Sequence, residues 1–166
     1  MNKNQPKILP PKSSLQQLMN SLALVGLIGF VIFFLLKWPG LPDPVPRHFN
    51  GAGEPDAYGS KYIMMILPLL AIGMYLFFNF ISKRPHTFNY PVPITEENAE
   101  RQYTLALNMM SALCAGIILA FFYISWRTVA VVNQEASGLG WWFMPVFLLV
   151  TFLPIGIYLA KANKKS

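Results

Sequence analysis

Four long stretches of this chain carry no charged residue. Ser13–Leu36 runs for 24 residues, Tyr62–Ser82 for 21, Gln102–Trp126 for 25 and Ala136–Ala160 for 25. An α-helix rises about 1.5 Å per residue, so about 20 residues cross a hydrocarbon core about 30 Å thick. A buried helix of a water-soluble protein is usually shorter and apolar on one side. In lipid every backbone amide must be bonded within its own segment, which makes these stretches helices. The expected spans are about 20–37, 62–82, 103–126 and 141–160, within a single membrane domain covering 1–166. The fold class is therefore an all-α integral membrane protein, with four transmembrane helices and a Pro/Gly-rich structured outer loop between the first two. The first stretch ends in Lys37-Trp38-Pro39-Gly40-Leu41-Pro42 with no small-x-small cleavage site, so it is expected to be a retained span, not a signal peptide.

Composition sharpens this picture. Hydrophobic residues make up 54% and charged residues 12%, against about 25% charged in an ordinary soluble domain, which excludes disorder and argues against a water-soluble globule. The formal charge of +6 does not point to nucleic acid, because the basic residues flank the apolar stretches. Lys3, Lys7, Lys12, Lys83, Arg84, Arg101, Lys161, Lys164 and Lys165 fall on one side, and Lys37, Arg47, Lys61 and Arg127 on the other. The positive-inside rule then puts both termini in the cytoplasm, with the lysine-rich tails against anionic lipid. Trp38, Trp126, Trp141 and Trp142 all fall at the outer ends, where an indole sits well among headgroups. The single cysteine, Cys114, excludes an intramolecular disulfide and any CxxC site.

Inside the spans there is little chemistry. Absence of Asp, Glu, Lys, Arg and His from their middles weighs against a pump or proton-coupled carrier. Polar residues there are chiefly Asn79, Asn108, Ser111, Cys114 and Thr151. Ala112, Gly116 and Ala120 recur every four residues and form a helix-packing face, serving either intramolecular contact or a homo-oligomer seam. Pro68, Pro145 and Pro154 are expected to kink or loosen their helices.

The information is concentrated between Trp38 and Lys61. Pro39, Pro42, Pro44 and Pro46 enforce a stiff extended arm, and Asn50-Gly51 with Gly53 supplies a turn. Ser60 is placed to cap the second helix, and Lys37 and Lys61 to reach headgroups. The segment gathers Asp43, Arg47, His48, Asn50, Glu54, Asp56 and Tyr58. A metal site would use His48 with these carboxylates, although the spacing fits no standard ligand motif. A hydrolytic site would need Ser60 as nucleophile, without a nucleophile-elbow pattern. The plainer alternative has Arg47 and the carboxylates pairing among themselves to hold a rigid cap. Recognition of a peptide or lipid by that cap is the fourth.

The run Leu41-Pro42-Asp43-Pro44-Val45-Pro46-Arg47-His48-Phe49-Asn50, with Gly51, Gly53, Asp56, Tyr58, Ser60 and Lys61, closely resembles a bacterial membrane domain of unknown function found at the amino terminus of SdpI-type immunity proteins. Its hallmark Pro-x-His-Phe-Asn core, glycine, aspartate and Ser-Lys correspond to Pro46, His48, Phe49, Asn50, Gly53, Asp56, Ser60 and Lys61. The resemblance covers roughly residues 20–82, and Pro93–Tyr103 is similar to a segment that follows the domain in small relatives. It implies a protein of the bacterial plasma membrane. SdpI-type proteins protect a producing cell from a secreted antimicrobial peptide and bind a transcriptional repressor. Full immunity proteins of that type carry further carboxyl-terminal spans, and four are expected here.

On the inner side, Thr95 is placed to cap the third helix, with Glu96 and Glu97 in its first turn and Glu97 paired to Arg101. Thr95, Glu97, Asn98 and Arg101 form the natural docking surface for a cytoplasmic regulator. The leading expectation is a non-enzymatic protein without cofactor, whose outer loop (Asp43, Pro46, Arg47, His48, Phe49, Asn50, Gly53, Asp56, Tyr58, Ser60, Lys61) recognises an antimicrobial peptide or envelope component. The alternatives are a small membrane enzyme or metal-dependent factor built on His48, and an accessory subunit of a membrane complex.

Overall fold

Ser13 opens the first helix, α1 (Ser14–Lys37), by accepting the Gln16 amide at 3.1 Å, and its hydroxyl donates to the Asn108 carboxamide. In the computed structural model, which describes residues 5–164, α1 is followed by a 3-10 turn (Trp38–Gly40) and two strands, β1 (Val45–Phe49) and β2 (Pro55–Gly59). A second 3-10 turn (Lys61–Met65) leads into α2 (Ile66–Ile81), and a third (Pro85–Thr87) lies before α3 (Ala99–Val132) and α4 (Phe143–Ala162). The fold is thus mostly helical but not all-α. The proline-stiffened arm pairs antiparallel with residues 55–59 because an extended chain with unbonded amides gains a partner that way.

Four helical stretches are long and apolar enough to cross a membrane: Ser14–Gly40, Lys61–Ile81, Ala99–Val132 and Phe143–Ala162. Two exceed the expected spans: α1 begins at 14, not 20, and α3 covers 99–132 instead of 103–126. At 34 residues α3 is about 51 Å long, more than a hydrocarbon core requires. Its extra turns carry Arg101 and Gln102 at one end and Arg127 and Thr128 at the other. The helices expose Val25, Leu36, Leu69, Leu76 and Phe152 outward, a surface suited to hydrocarbon.

The third helix is the central mast and touches each of the other three. Phe30 and Ile118 are fully buried, with Ala23, Leu27, Ala71 and Cys114 around them, and Phe30 stacks on Phe122 at 5.4 Å. The small face of α3 packs on α4 of the same chain. A Cβ at Gly116 would run into Val150, and Ala112 lies beside Leu153 and Ile157. Gly116→Leu is expected to wedge the two helices apart, costing about 1–3 kcal/mol. Thermal unfolding in micelles reads this as a lowered midpoint; an unchanged midpoint would mean that the face carries no intramolecular contact.

None of the three expected proline kinks interrupts its helix. Pro68 and Pro145 sit in the first turns of α2 and α4, where an amide has no partner within that helix to lose. Pro154 lies inside α4.

The two ends of the bundle differ. At one end stand the hairpin, Trp38 against Tyr62, and Tyr123 flanked by Trp126 and Trp142. At the other, the described ends of the chain meet. Tyr103 donates to Pro6 O at 3.0 Å, Gln102 to Ala162 O at 3.0 Å and Arg101 to Lys161 O at 2.6 Å. The basic residues expected at this second end include Lys3 and Lys165, which lie outside the described residues.

Candidate functional site

The hairpin is shaped by Asn50. Its Oδ1 accepts the amides of Ala52 (2.9 Å) and Glu54 (3.0 Å), while its backbone amide donates to Glu54 O at 2.9 Å. Gly53 completes the turn at φ +81°, a conformation that side chains disfavour. Behind the turn the register runs Val45 to Gly59, Pro46 to Tyr58, His48 to Ala57 and Phe49 to Pro55, irregular on both sides of His48. That irregularity brings His48 and Asp56 to the same outer face, with Nδ1 2.6 Å from Oδ1. The contact through Nδ1 leaves Nε2 as the ring's second hydrogen-bonding atom.

The hairpin is held at root and tip. Val45, fully buried, packs with Leu41, Met64 and Val129. At the tip Gly53 O accepts the Leu139 amide at 2.7 Å, and Gly138 lies so close that a Cβ there would run into Gly53 O. The α3–α4 connection is held from below as well: Arg127 Nε donates to Gly138 O and Tyr123 donates to Leu139 O, both at 2.7 Å.

Beneath the hairpin is a cavity of about 350 Å³. Pro46 and Phe49 line it from the hairpin with the polar Arg47, His48 and Asn50, Met64 and Phe143 add apolar wall, and Ser125 and Thr128 supply hydroxyls from α3. Ser125 is 1% exposed and its hydroxyl has no hydrogen-bond partner among the described residues. An unpaired buried hydroxyl is costly, which marks the position as one a ligand would satisfy.

The structure brings together the outer-loop residues singled out from sequence but changes several of their roles. Among the described residues Arg47 makes no ion pair with a carboxylate, and it lies over Gly59, where a Cβ would sit 2.9 Å from its Cδ. The Ser60 side chain does not cap the second helix: its hydroxyl donates to Asp43 at 3.1 Å. That also leaves Ser60 without the His48 contact a nucleophile would need. Lys61 has partners within the chain. Its ammonium donates to Leu41 O at 3.1 Å and lies 5.4 Å from the centre of the Trp38 ring. Tyr58 is exposed. Among the described residues no group of three or more His, Cys, Asp or Glu is placed to share a metal ion.

At the far end, Thr95 is not the cap of α3. The helix starts at Ala99, and Asn98 ties the preceding turn by donating to Pro93 O (3.0 Å) and accepting the Thr95 amide (2.9 Å). Arg101 turns to Lys161 O instead of pairing with Glu97, because a helix carboxyl end offers unsatisfied carbonyls. The Thr95 hydroxyl, then its own backbone amide, hold the exposed Glu97 carboxyl below the usual carboxylate range. Burial, with Tyr103 and Tyr158 nearby, pushes the Tyr90 hydroxyl upward.

Sequence reasoning did not reach Gly138, Leu139 or Ser125, and counted Arg127 only as an outer-side charge. The available signals were faint: Gly138-Leu139-Gly140 punctuates the last connection, and Ser125 and Thr128 share one helix face.

These features define a class, a multi-pass membrane protein with a small hairpin docked on one end of its helices. Residues 24–72, from α1 through the hairpin into α2, match a family described as Domain of unknown function (DUF1648). The chain is also similar to an uncharacterized protein of Archaeoglobus fulgidus, at 28% identity over 152 residues, covering 82% of this chain and 81% of that one. No solved structure matches the chain significantly.

Proposed function

We propose that this is a non-enzymatic recognition protein of the bacterial plasma membrane, related to SdpI-type immunity and signalling. The hairpin end faces outward and both termini lie in the cytoplasm. The outer site receives part of an antimicrobial peptide or envelope component beneath the hairpin, with His48, Asp56 and Tyr58 contacting it from the exposed face. The observation carrying this reading is the cavity of about 350 Å³ with the unpartnered Ser125 hydroxyl in its wall. The Thr95–Arg101 segment at the opposite end is the docking surface for a cytoplasmic regulator.

Two measurements test it. Ala52→Cys in a Cys114→Ser background should react with an impermeant thiol reagent on intact cells; labelling only after lysis would reverse the orientation. In cells challenged with the secreted peptide of an SdpI-type system, His48→Ala and Asp56→Ala should each lower protection by about tenfold or more at unchanged protein level. Protection equal to the parent chain in both variants would remove the recognition role. A metal-dependent reading rests on the His48–Asp56 pair. It would be favoured by stoichiometric metal in the purified protein that is lost in His48→Ala.

A further inference from the structure

A second cavity, of about 450 Å³, lies at the end of the bundle away from the hairpin, among the amino-terminal segment, α1, α2 and α3. Its interior is polar for a helix bundle. Gln16 and Ser111 line it at 4% and 5% exposure. Asn20, Asn79 and Ser82 add further donors and acceptors. Two lysines, Lys12 and Lys83, complete the lining and are exposed, whereas Gln16, Ser111 and Cys114 are buried. The lysines therefore stand at the mouth and the amide and hydroxyl on the floor. Among the described residues no carboxylate lines the cavity, so the lysines face no counter-charge from them.

The mouth is built, not incidental. Pro10 is buried, Lys12 O accepts the Gln17 carboxamide at 3.0 Å, and Ser13 is bonded to Asn108 on α3. These contacts fix the segment that carries Lys12 across from the carboxyl end of α2, where Lys83 follows. Leu9, Tyr75 and Phe78 supply an apolar flank, so the cavity offers one wall to hydrocarbon and another to an anion.

We infer that this cavity binds the phosphate headgroup of an anionic membrane phospholipid, with Lys12 and Lys83 holding the phosphate and Gln16 and Ser111 hydrogen-bonding the headgroup below it. Paired basic residues at a pocket between spanning helices are suited to anionic headgroups, and the volume is that of a small-molecule site. The inference is separate from the outer recognition site, which lies at the other end of the bundle.

Native mass spectrometry of the full chain in detergent, titrated with phosphatidylglycerol, phosphatidylcholine or inorganic phosphate, tests it. The expected result is one phosphatidylglycerol per chain, held at least tenfold more tightly than phosphatidylcholine, whose choline cancels the charge. Lys12→Gln and Lys83→Gln should each weaken it by about fivefold, and Ser111→Leu should block it by filling the floor. Asp56→Ala, at the far end, should leave it unchanged, which separates this result from failure of the outer site. Equal uptake of both lipids, or a Lys12→Gln/Lys83→Gln double variant identical to the parent, would overturn the assignment. Displacement of the lipid by inorganic phosphate at equal concentration would also overturn it, making free phosphate the ligand. The lysines are exposed, so their variants report even if Ser111→Leu does not fold.

Discussion

Gly138→Ala is expected to cost about 3 kcal/mol of stability and to release the tip of the hairpin. The added methyl would have to occupy the position of Gly53 O, a backbone atom with no freedom to rotate away. Relief requires the α3–α4 connection to move off the hairpin, which breaks the 2.7 Å bond from the Leu139 amide to Gly53 O. It also disturbs the 2.7 Å bonds that Arg127 and Tyr123 make to the same connection. Overpacking a tight contact costs about 1–3 kcal/mol, and a lost hydrogen bond adds about 1. Unfolding in micelles should show a lower midpoint, and limited proteolysis should cut within 50–60 before the helices melt. The control is Gly51→Ala: nothing lies within 4 Å of a Cβ there, so its midpoint should match the parent. Matching midpoints for Gly138→Ala as well would mean the tip is not clamped by this contact.

Val45→Asp attacks the root of the same hairpin. Val45 is 0% exposed and sits against Leu41, Met64 and Val129, with Phe33, Phe34, Trp38 and Val132 packed around them. Apart from the Trp38 indole N–H, none of these side chains offers a charge or hydrogen bond to a carboxylate. Burying one there costs several kcal/mol, on the order of 3–5, unless the group takes up a proton or the strand leaves its seat. The expected outcome is a detached hairpin on an intact helix bundle: retained helical circular dichroism, new protease cleavage between 41 and 60, and loss of outer-site binding. Val45→Ile, which keeps the surface apolar, should retain both. Cleavage resistance equal to the parent in Val45→Asp would show that the root packing does not hold the hairpin.

Tip and root together make the site a property of contacts distant in sequence. The extended proline arm and the Asn50 turn are visible in the local pattern, because proline fixes φ and an Asn side chain bonds amides two and four residues on. Pairing within the loop was less visible. A carboxylate near an arginine in sequence invites an ion pair, but strand register decides which side chains share a face. The irregularity around His48 selects Asp56 for His48 and leaves Arg47 over Gly59. Ser60 and Arg101 illustrate the same point: each bonds a group distant in sequence, Asp43 and Lys161 O, instead of the neighbour its local pattern offers.

The four long apolar helices were determined by sequence alone, because a helix satisfies its own backbone and the length needed to cross a bilayer can be counted along one segment. The proline arm, the turn and the crowding of polar groups between Trp38 and Lys61 were equally local. Only the tertiary structure decided what lies beneath and opposite them. The clamp joins Gly53 to Gly138 and Leu139 across more than eighty residues, and the lysine-mouthed cavity joins the amino-terminal segment to the carboxyl end of α2 and the middle of α3. Such closures depend on which faces of separate helices meet, and helices uniformly apolar on the outside carry little one-sided pattern to announce those faces.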